Sequence, residues 1–303
     1  MVIELAYGAG VALATLAAFA SAIYFLCVRI GTDNGRVLDV VLISLLVNVI
    51  LIVPIVSIMY GLPSITLTSI LAFSAAGIVG SFLARLFIAK SIESIGASRT
   101  APVVSANVFF ASILAIVLFD ERLTPMHVLG IILIVAGVAV ITWEMSRDDT
   151  GTRSIRELGL SLILPVAAAM LIGVEPIFVM IGLDHGSPVL PGVMVKAIAA
   201  TCGFVGYLLL TRTLRADMIQ WDANTKWYVG AGVTSTTAIT AYFAALSLAP
   251  VVIVVPLIQT APLLVLVLSA LFLPQRLERI TVRLVAGASI VVLGAAMVSV
   301  YAV

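Results

Sequence analysis

Three charged side chains lie inside long apolar stretches of this sequence, in surroundings that disfavour an unpaired charge. They are Arg85, Glu175 and Lys196. A charge at the centre of a membrane helix costs about 2.5–3.5 kcal/mol on insertion scales, so each needs a partner, a water-filled cavity or a route to the surface. A guanidinium or an ammonium can bind an anionic group, and a carboxylate can bind a cation or a proton. The three residues are therefore the first candidates for a binding site.

Glu175 and Lys196 are placed to meet each other. Glu175 lies seven residues before Gly182 and Lys196 lies six residues after Leu190, on two apolar stretches joined by a short loop. At about 1.5 Å of rise per residue, both side chains sit roughly 10 Å from the same end of an antiparallel helix pair. The two form either an architectural ion pair or part of the wall of a solute cavity. In the second case Glu175 would bind an ammonium group or a proton, and Lys196 a carboxylate.

Arg85 is expected nearer the opposite face, so the sequence predicts no direct salt bridge with Glu175. Its long stem can carry the guanidinium to the membrane surface. The alternative is a water-accessible wall, because Ser81 lies one turn away on the same helix face. Pro176 follows Glu175 directly and removes the amide donor for the carbonyl of Ile172, which favours a kink at this point.

The composition indicates what kind of element positions these side chains. Of 303 residues, 62% are hydrophobic and 10% are charged, and the mean hydropathy is +1.26. A soluble domain has about 45–50% apolar and about 25% charged residues, so lipid is the expected solvent. The net charge of +1 excludes the basic surface that nucleic-acid binding requires.

Ten windows are apolar enough to span a bilayer as helices, which takes about 20 residues each. They are continuous apolar runs, whereas the strands of a membrane barrel alternate in polarity. The sequence therefore predicts an all-α membrane protein with ten transmembrane helices. The windows are Ala6–Val28, Asp39–Met59, Leu67–Ile88, Thr100–Leu118, Met126–Met145, Gly159–Gly182, Leu190–Thr211, Trp227–Leu248, Val251–Leu273 and Thr281–Tyr301.

One spacing of proline, arginine and glycine occurs twice, and Phe87–Leu123 aligns without a gap on Ala241–Leu277. Each half then holds five helices, an odd number, so the second half must enter the membrane in the opposite sense. We predict a 5+5 inverted repeat, with a first repeat at 1–145, a central loop at 146–158 and a second repeat at 159–303. The paired positions are Pro102 with Pro256, Arg122 with Arg276 and, after a three-residue insertion, Gly130 and Gly137 with Gly287 and Gly294.

The repeat adds uncharged residues to the candidate site. Inverted repeats of this kind build transporters, whose solute site lies at the interface between the halves. Residues near the pseudo-two-fold axis are therefore candidates, although each could equally hydrogen-bond a neighbouring helix. They are Asn107 and Gln259, mid-helix in the fourth and ninth windows; Ser81 with its repeat partner Ser235; and Tyr24, which matches Glu175 when Gly31 is laid on Gly182.

Two sets of motifs carry a family resemblance. The first copy has Pro102, Leu118–Thr124 and Gly130–Gly137, and the second has Tyr242–Leu246, Pro256 and Leu273–Leu277, with Gln275 where the first has Glu121. They resemble the repeat of EamA-type transporters in the drug/metabolite transporter superfamily, over essentially the whole chain. The resemblance implies ten helices in an inverted repeat and export or exchange of small metabolites, and it leaves the substrate open. It also favours a basic residue at the position of Lys196, facing the cavity.

The predicted function is that of a secondary transporter, an exporter or exchanger of a small organic metabolite that works by alternating access. Its partners would be the solute, the lipid bilayer and a coupling proton carried by Glu175, although facilitated diffusion fits equally well. No cofactor, metal or nucleic acid is expected, since no phosphate-binding loop, nucleophile elbow or metal-ligand spacing occurs. A channel or a non-transporting helical scaffold is the alternative, and a membrane-embedded enzyme a weaker one. The oligomeric state stays open.

The positive charges predict an orientation. Thirteen of the sixteen Lys and Arg residues lie beside connections that follow odd-numbered windows, and Arg122 alone lies at the opposite face. The positive-inside rule puts the charged face in the cytoplasm and both termini outside, with the plasma membrane as the expected location. The family resemblance implies both termini inside. We follow the charges, because the rule acts on the insertion of this chain itself.

A reporter that fluoresces only in the cytosol, fused to the C-terminus, should therefore stay dark in intact cells. The same fusion made through one additional transmembrane helix should be bright, which controls for expression. A bright signal from the direct fusion would show that the orientation is the reverse.

Overall fold

The structure, a computed structural model, contains helices and connecting turns and no strand among the residues that it describes. Arg122 and Glu121 of the first copy, and Pro256, Gln275 and Arg276 of the second, lie outside those residues. So do parts of the fourth and ninth predicted windows. The described residues are 2–33, 35–61, 65–110, 114, 125–148, 155–185, 188–215, 218, 223–248, 254, 257–274, 277 and 279–301.

Within the described residues, ten helices follow one another in the order of the ten predicted windows, so the all-α membrane fold is confirmed. Five of them are long and apolar enough to cross a bilayer when judged by length and composition within the described residues. The helices are α1 Val2–Asp33, α2 Val37–Tyr60, α3 Leu67–Ile95, α4 Ala97–Ser105, α5 Pro125–Asp148, α6 Ile155–Asp184, α7 Val189–Leu210, α8 Thr225–Leu248, α9 Ala261–Phe272 and α10 Val282–Tyr301.

Several helices extend beyond their predicted windows. Helix α3 continues to Ile95 and contains a π-helical stretch at Gly77–Leu83. Helices α5 and α6 reach into the segment predicted as the central loop, so only 149–154 separate them. The hydropathy of a sequence identifies only the apolar part of a helix. The polar residues at the ends of the helix also form helical backbone hydrogen bonds, so the helix is longer than the predicted window.

The two halves meet along α5 and α10. A Cβ atom at Gly137 would lie 2.8 Å from the carbonyl oxygen of Gly287, and one at Gly294 would lie 2.6 Å from that of Gly130. Residue numbers fall along one helix as they rise along the other, so these repeat-related helices run antiparallel. Each glycine contact is also the repeat image of the other. The inverted repeat is therefore confirmed, with its pseudo-two-fold axis passing between α5 and α10.

Helices α2 and α7, which are also repeat partners, pack against each other in the same antiparallel sense. The hydroxyl of Thr201 donates to the carbonyl oxygen of Leu45 at 3.3 Å. Further along, Val193 packs in one buried cluster with Ile52 and Val56. A second symmetric contact thus joins the halves.

The first helix of each half packs against the third helix of the other half. Helix α1 lies along α8, and α6 lies along α3. Small residues bring each pair close: a Cβ at Gly31 would lie 2.9 Å from the Tyr228 ring, and one at Gly182 would lie 2.8 Å from the Phe73 ring. These two crossed pairs are equivalent under the repeat, and the candidate site lies between them.

Replacing Gly137 by alanine should lower the free energy of unfolding by about 1–3 kcal/mol, because the added methyl group overlaps the backbone of α10. Thermal unfolding of the purified protein in detergent measures the change. Gly8→Ala is the matched control, since a Cβ at Gly8 meets no atom within 4 Å. Equal unfolding temperatures for the two variants would contradict the close α5–α10 contact.

Candidate functional site

A cavity of about 370 Å³ lies between the two crossed helix pairs. That volume suits a small-molecule ligand, since ligand pockets typically measure about 300–1,000 Å³. Both halves contribute to its wall. All eight residues singled out from the sequence line it: Tyr24, Ser81, Arg85, Asn107, Glu175, Lys196, Ser235 and Gln259.

Glu175 and Lys196 form an ion pair at one side of the cavity. The Lys196 ammonium donates to Oε1 of Glu175, as their equal depth on α6 and α7 predicts. The Lys196 side chain is 7% exposed and that of Glu175 is 17% exposed, so the carboxylate is the more accessible member. Each charge compensates the other, and removal of either partner would leave an unpaired charge in a medium of low dielectric constant.

The π-helical stretch of α3 lets this helix approach the ion pair closely. A Cβ at Gly80 would overlap Oε2 of Glu175, and one at Gly77 would overlap the backbone carbonyl of Lys196. Gly77 therefore excludes any side chain, whereas a side chain at Gly80 would displace the Glu175 carboxylate. π-Helical turns are rare and often occur at functional sites. The sequence analysis missed Gly80, because glycine is common in membrane helices and nothing local distinguishes this one.

Arg85 does not reach the membrane surface, so the snorkelling alternative is wrong. Its residue is 7% exposed, with Nη2 donating to Ser235 Oγ at 2.7 Å and Nη1 donating to Ser44 Oγ at 3.5 Å. The physical reason is that the acceptors for its guanidinium lie inside the helix bundle, on α2 and α8.

The other partners of Arg85 are also neutral. One orientation of the Asn48 side-chain amide gives hydrogen bonds to both its oxygen and its nitrogen. In this orientation Oδ1 accepts from Nη1 of Arg85 at 3.0 Å and from Nη2 at 3.2 Å, and the amide nitrogen donates to Thr236 Oγ1 at 2.7 Å. Among the described residues no carboxylate pairs with Arg85, in line with the expected lack of a Glu175 bridge. The two nevertheless share one cavity, which their predicted placement toward opposite faces did not suggest. Arg85, Lys196 and Glu175 together leave this wall with one net positive charge.

Tyr24 lies beside Arg85, with the guanidinium carbon 5.7 Å from the centre of its ring. The residue is 8% exposed, and its hydroxyl oxygen is buried with no hydrogen-bond partner among the described residues. A buried hydroxyl normally finds a partner, because leaving it unsatisfied costs about 1–3 kcal/mol. Tyr24 therefore presents an unused donor and acceptor at the cavity.

Asn107 and Gln259 lie at helix interruptions and not mid-helix, so that part of the prediction is wrong. The amide of Ala106 donates to Val103 at 3.1 Å, and the amide of Thr260 donates to Leu257 at the same distance. These tight turns fall at repeat-equivalent positions, 154 residues apart like Ser81 and Ser235. After the second turn Pro262, near the start of α9, lacks the amide that would continue the helix.

Both amide side chains stabilise the first of these interruptions. Asn107 Nδ2 donates to the carbonyl of Val104 at 3.0 Å, and Gln259 Nε2 donates to the carbonyl of Ser105 at 3.3 Å. Carbonyls at helix ends lack intrahelical donors, so side-chain amides replace them. Discontinuous helices beside a midplane cavity are a recurring feature of transporters.

The chemistry of the wall suits binding of a polar solute. It offers a guanidinium, an ammonium–carboxylate pair, two amides and several hydroxyl groups against an apolar remainder that includes Phe25, Ile172 and Phe243. Within the described part of the chain, no three His, Cys, Asp or Glu side chains lie together as ligands for a metal ion. Tyr242, which sequence reasoning did not place at the site, adds another hydroxyl to the wall.

Residues 8–143 and residues 159–300 each match the EamA-like transporter family. No protein of curated function matches the sequence. Among solved structures, one crystal structure of a protein is similar with a TM-score of 0.60 and 14% sequence identity, and the alignment covers 97% of this chain and 95% of that chain. At that identity the likeness shows the shared fold alone.

Gly80→Ala should destabilise the protein by about 1–3 kcal/mol, because the new methyl group displaces the Glu175 carboxylate from its ion pair. Most of that loss should disappear when the same change is made in a Glu175→Ala background, where nothing remains to be displaced. Thermal unfolding of the four proteins of this cycle tests the contact. Gly206→Ala, at an open position on α7, should cost the same in both backgrounds. Equal costs for Gly80→Ala in the two backgrounds would show that the contact is absent.

Proposed function

Because this chain belongs to the EamA-like transporter family, we propose that it is a secondary transporter that carries a small organic metabolite across the membrane by alternating access. The cavity is the observation that supports the proposal. It lies between the two inverted halves and combines polar groups with an apolar wall. A solute site at the interface of inverted repeats is the arrangement that secondary transporters share.

The symmetric contacts provide two alternative closures. Helix α1 packs on α8, and α6 packs on α3, so the first helix of each half contacts the other half and can close one side of the cavity. If the halves rock about the α5–α10 contact, loosening one crossed pair tightens its repeat image. The cavity then opens toward one face at a time, and the interruptions at Ala106 and Thr260 are points where the backbone can absorb the bend.

The ion pair couples the solute to this change. An ammonium group or a proton arriving at Glu175 competes with Lys196, and release of Lys196 removes one contact between α6 and α7. Such a step makes proton coupling or exchange possible in the same site. We place the protein in the plasma membrane, as an exporter or exchanger, on the basis of its family.

The charged pair distinguishes a transporter from a helical scaffold. Glu175→Gln combined with Lys196→Met removes both charges at once, so no single buried charge is left behind. In a helical scaffold this change should have no effect on solute uptake. In a transporter that uses the pair, the transport rate should fall at least about tenfold. The measurement is uptake into proteoliposomes of a compound that stabilises the protein in a thermal-shift screen of amino acids, nucleosides, sugars and cationic drugs.

The matched control is a second buried ion pair away from the cavity. Arg99 of α4 binds Glu144 of α5 through two hydrogen bonds of 3.1 and 3.0 Å, and Glu144 is 3% exposed. Arg99→Met combined with Glu144→Gln should lower stability while leaving the transport rate per folded molecule largely unchanged. Undiminished transport by the cavity variant would refute the role of Glu175 and Lys196.

A further inference from the structure

Arg85 carries a buried positive charge whose described partners are all neutral. Ser44, Asn48 and Ser235 accept hydrogen bonds from its two terminal nitrogens, and its Nε–H has no hydrogen-bond partner among the described residues. Neutral acceptors orient a guanidinium but do not compensate its charge, and Glu175, a carboxylate close enough to attract Arg85, is already bonded to Lys196. In a protein of this composition the uncompensated charge is costly unless an anion arrives in the cavity.

The Tyr24 hydroxyl is an independent observation that points to the same ligand. It is buried, has no hydrogen-bond partner in the described part of the chain, and belongs to the residue whose ring lies next to the Arg85 guanidinium. Ser235, which accepts from Arg85, also lines the cavity, and the side-chain amide atoms of Asn48 lie 3.4 and 3.5 Å from its hydroxyl oxygen. Two donors of different kinds, the Arg85 guanidinium and the Tyr24 hydroxyl, therefore lie on one wall, and an acceptor-only group would satisfy both.

We propose that Arg85 and Tyr24 bind a carboxylate of the solute, so that this cavity takes small organic acids or zwitterions with one carboxylate. The inference rests on the proposed function of the cavity. Of the two cations in the wall, Lys196 is already compensated by Glu175, so Arg85 is the better anchor for an anionic group. The sequence analysis assigned that role to Lys196, because it left open whether the Arg85 guanidinium reaches the membrane surface.

The charge balance favours a carboxylate over a phosphate group. The three charged residues of the wall sum to one positive charge, which a single carboxylate neutralises. A phosphate monoester carries about two negative charges at neutral pH and would leave a negative charge in a low dielectric medium. A zwitterion also has an ammonium group, which can approach Glu175, the accessible member of the ion pair. A simple acid would bind only to the Arg85 side of the cavity, through its carboxylate.

Matched trios of probes separate these possibilities on the purified, detergent-solubilised protein. One trio is leucine, 4-methylpentanoate and 3-methylbutylamine, which share a skeleton and differ in having both charged groups, only the carboxylate or only the ammonium. Equivalent trios built on serine and phenylalanine cover other side chains. In at least one trio the zwitterion, the acid or both should stabilise the protein at millimolar concentrations, and the amine should not. Stabilisation by amines alone, or by none of the nine probes, would overturn the proposal.

Tyr24→Phe is the decisive variant, because the hydroxyl that it removes makes no hydrogen bond with any described residue. Without the probe, the variant should be as stable as the parent or more stable, while the dissociation constant of the carboxylate probe rises about tenfold. Tyr207→Phe, whose ring stacks on Phe204 outside the cavity wall, should leave the dissociation constant unchanged. Unchanged affinity in Tyr24→Phe would overturn the role of the hydroxyl.

Arg85 variants test the charge in the same assay. Arg85→Lys keeps a cation and should retain part of the affinity for the carboxylate probe, whereas Arg85→Gln should abolish it. Proteoliposome flux then separates the two proposals. Carboxylate binding without any flux would count against the transport function, and flux restricted to solutes lacking a carboxylate would count against this inference alone.

Discussion

The bilayer interior cannot solvate a charge, and the arrangement of the cavity follows from that constraint. Glu175 and Lys196 are compensated by each other across α6 and α7. Arg85 is held by neutral groups from α2 and α8 and lies against Tyr24 of α1. Four helices thus surround one guanidinium. The charged groups lie at the cavity between the halves, which provides the polar space that they require.

The fold is symmetric, but the chemistry of its two sides differs. The Gly31 and Gly182 contacts are alike, and the overlay that matches them also matches Tyr24 with Glu175. One side therefore presents a cation beside an unpartnered hydroxyl, and the other an ion pair. A duplicated five-helix unit supplies the two equivalent closures, while divergence of a few side chains makes the binding surface asymmetric, as recognition of an asymmetric solute requires.

The close approach of neighbouring helix backbones is the second constraint on this structure. Gly137 and Gly294 bring α5 and α10 together at the axis, and Gly77 and Gly80 bring α3 against the ion pair. In lipid the association of helices depends on packing, since the hydrophobic effect does not favour helix contact over lipid contact. Glycines thus place the charged groups within reach of one another, and the turns at Ala106 and Thr260 keep amide side chains at the same depth.

The sequence by itself determined the ten helices, the inverted repeat and the meeting of Glu175 with Lys196. Each of these depends on hydropathy, on spacing or on depth along a helix, which can be counted in residues. Only the tertiary structure decided that Arg85 faces inward, that Asn107 and Gln259 sit at interruptions, and that Gly80 contacts Glu175. Those outcomes depend on rotation about helix axes and on which helix lies opposite, and the hydropathy of a membrane helix with apolar residues on every side does not encode them.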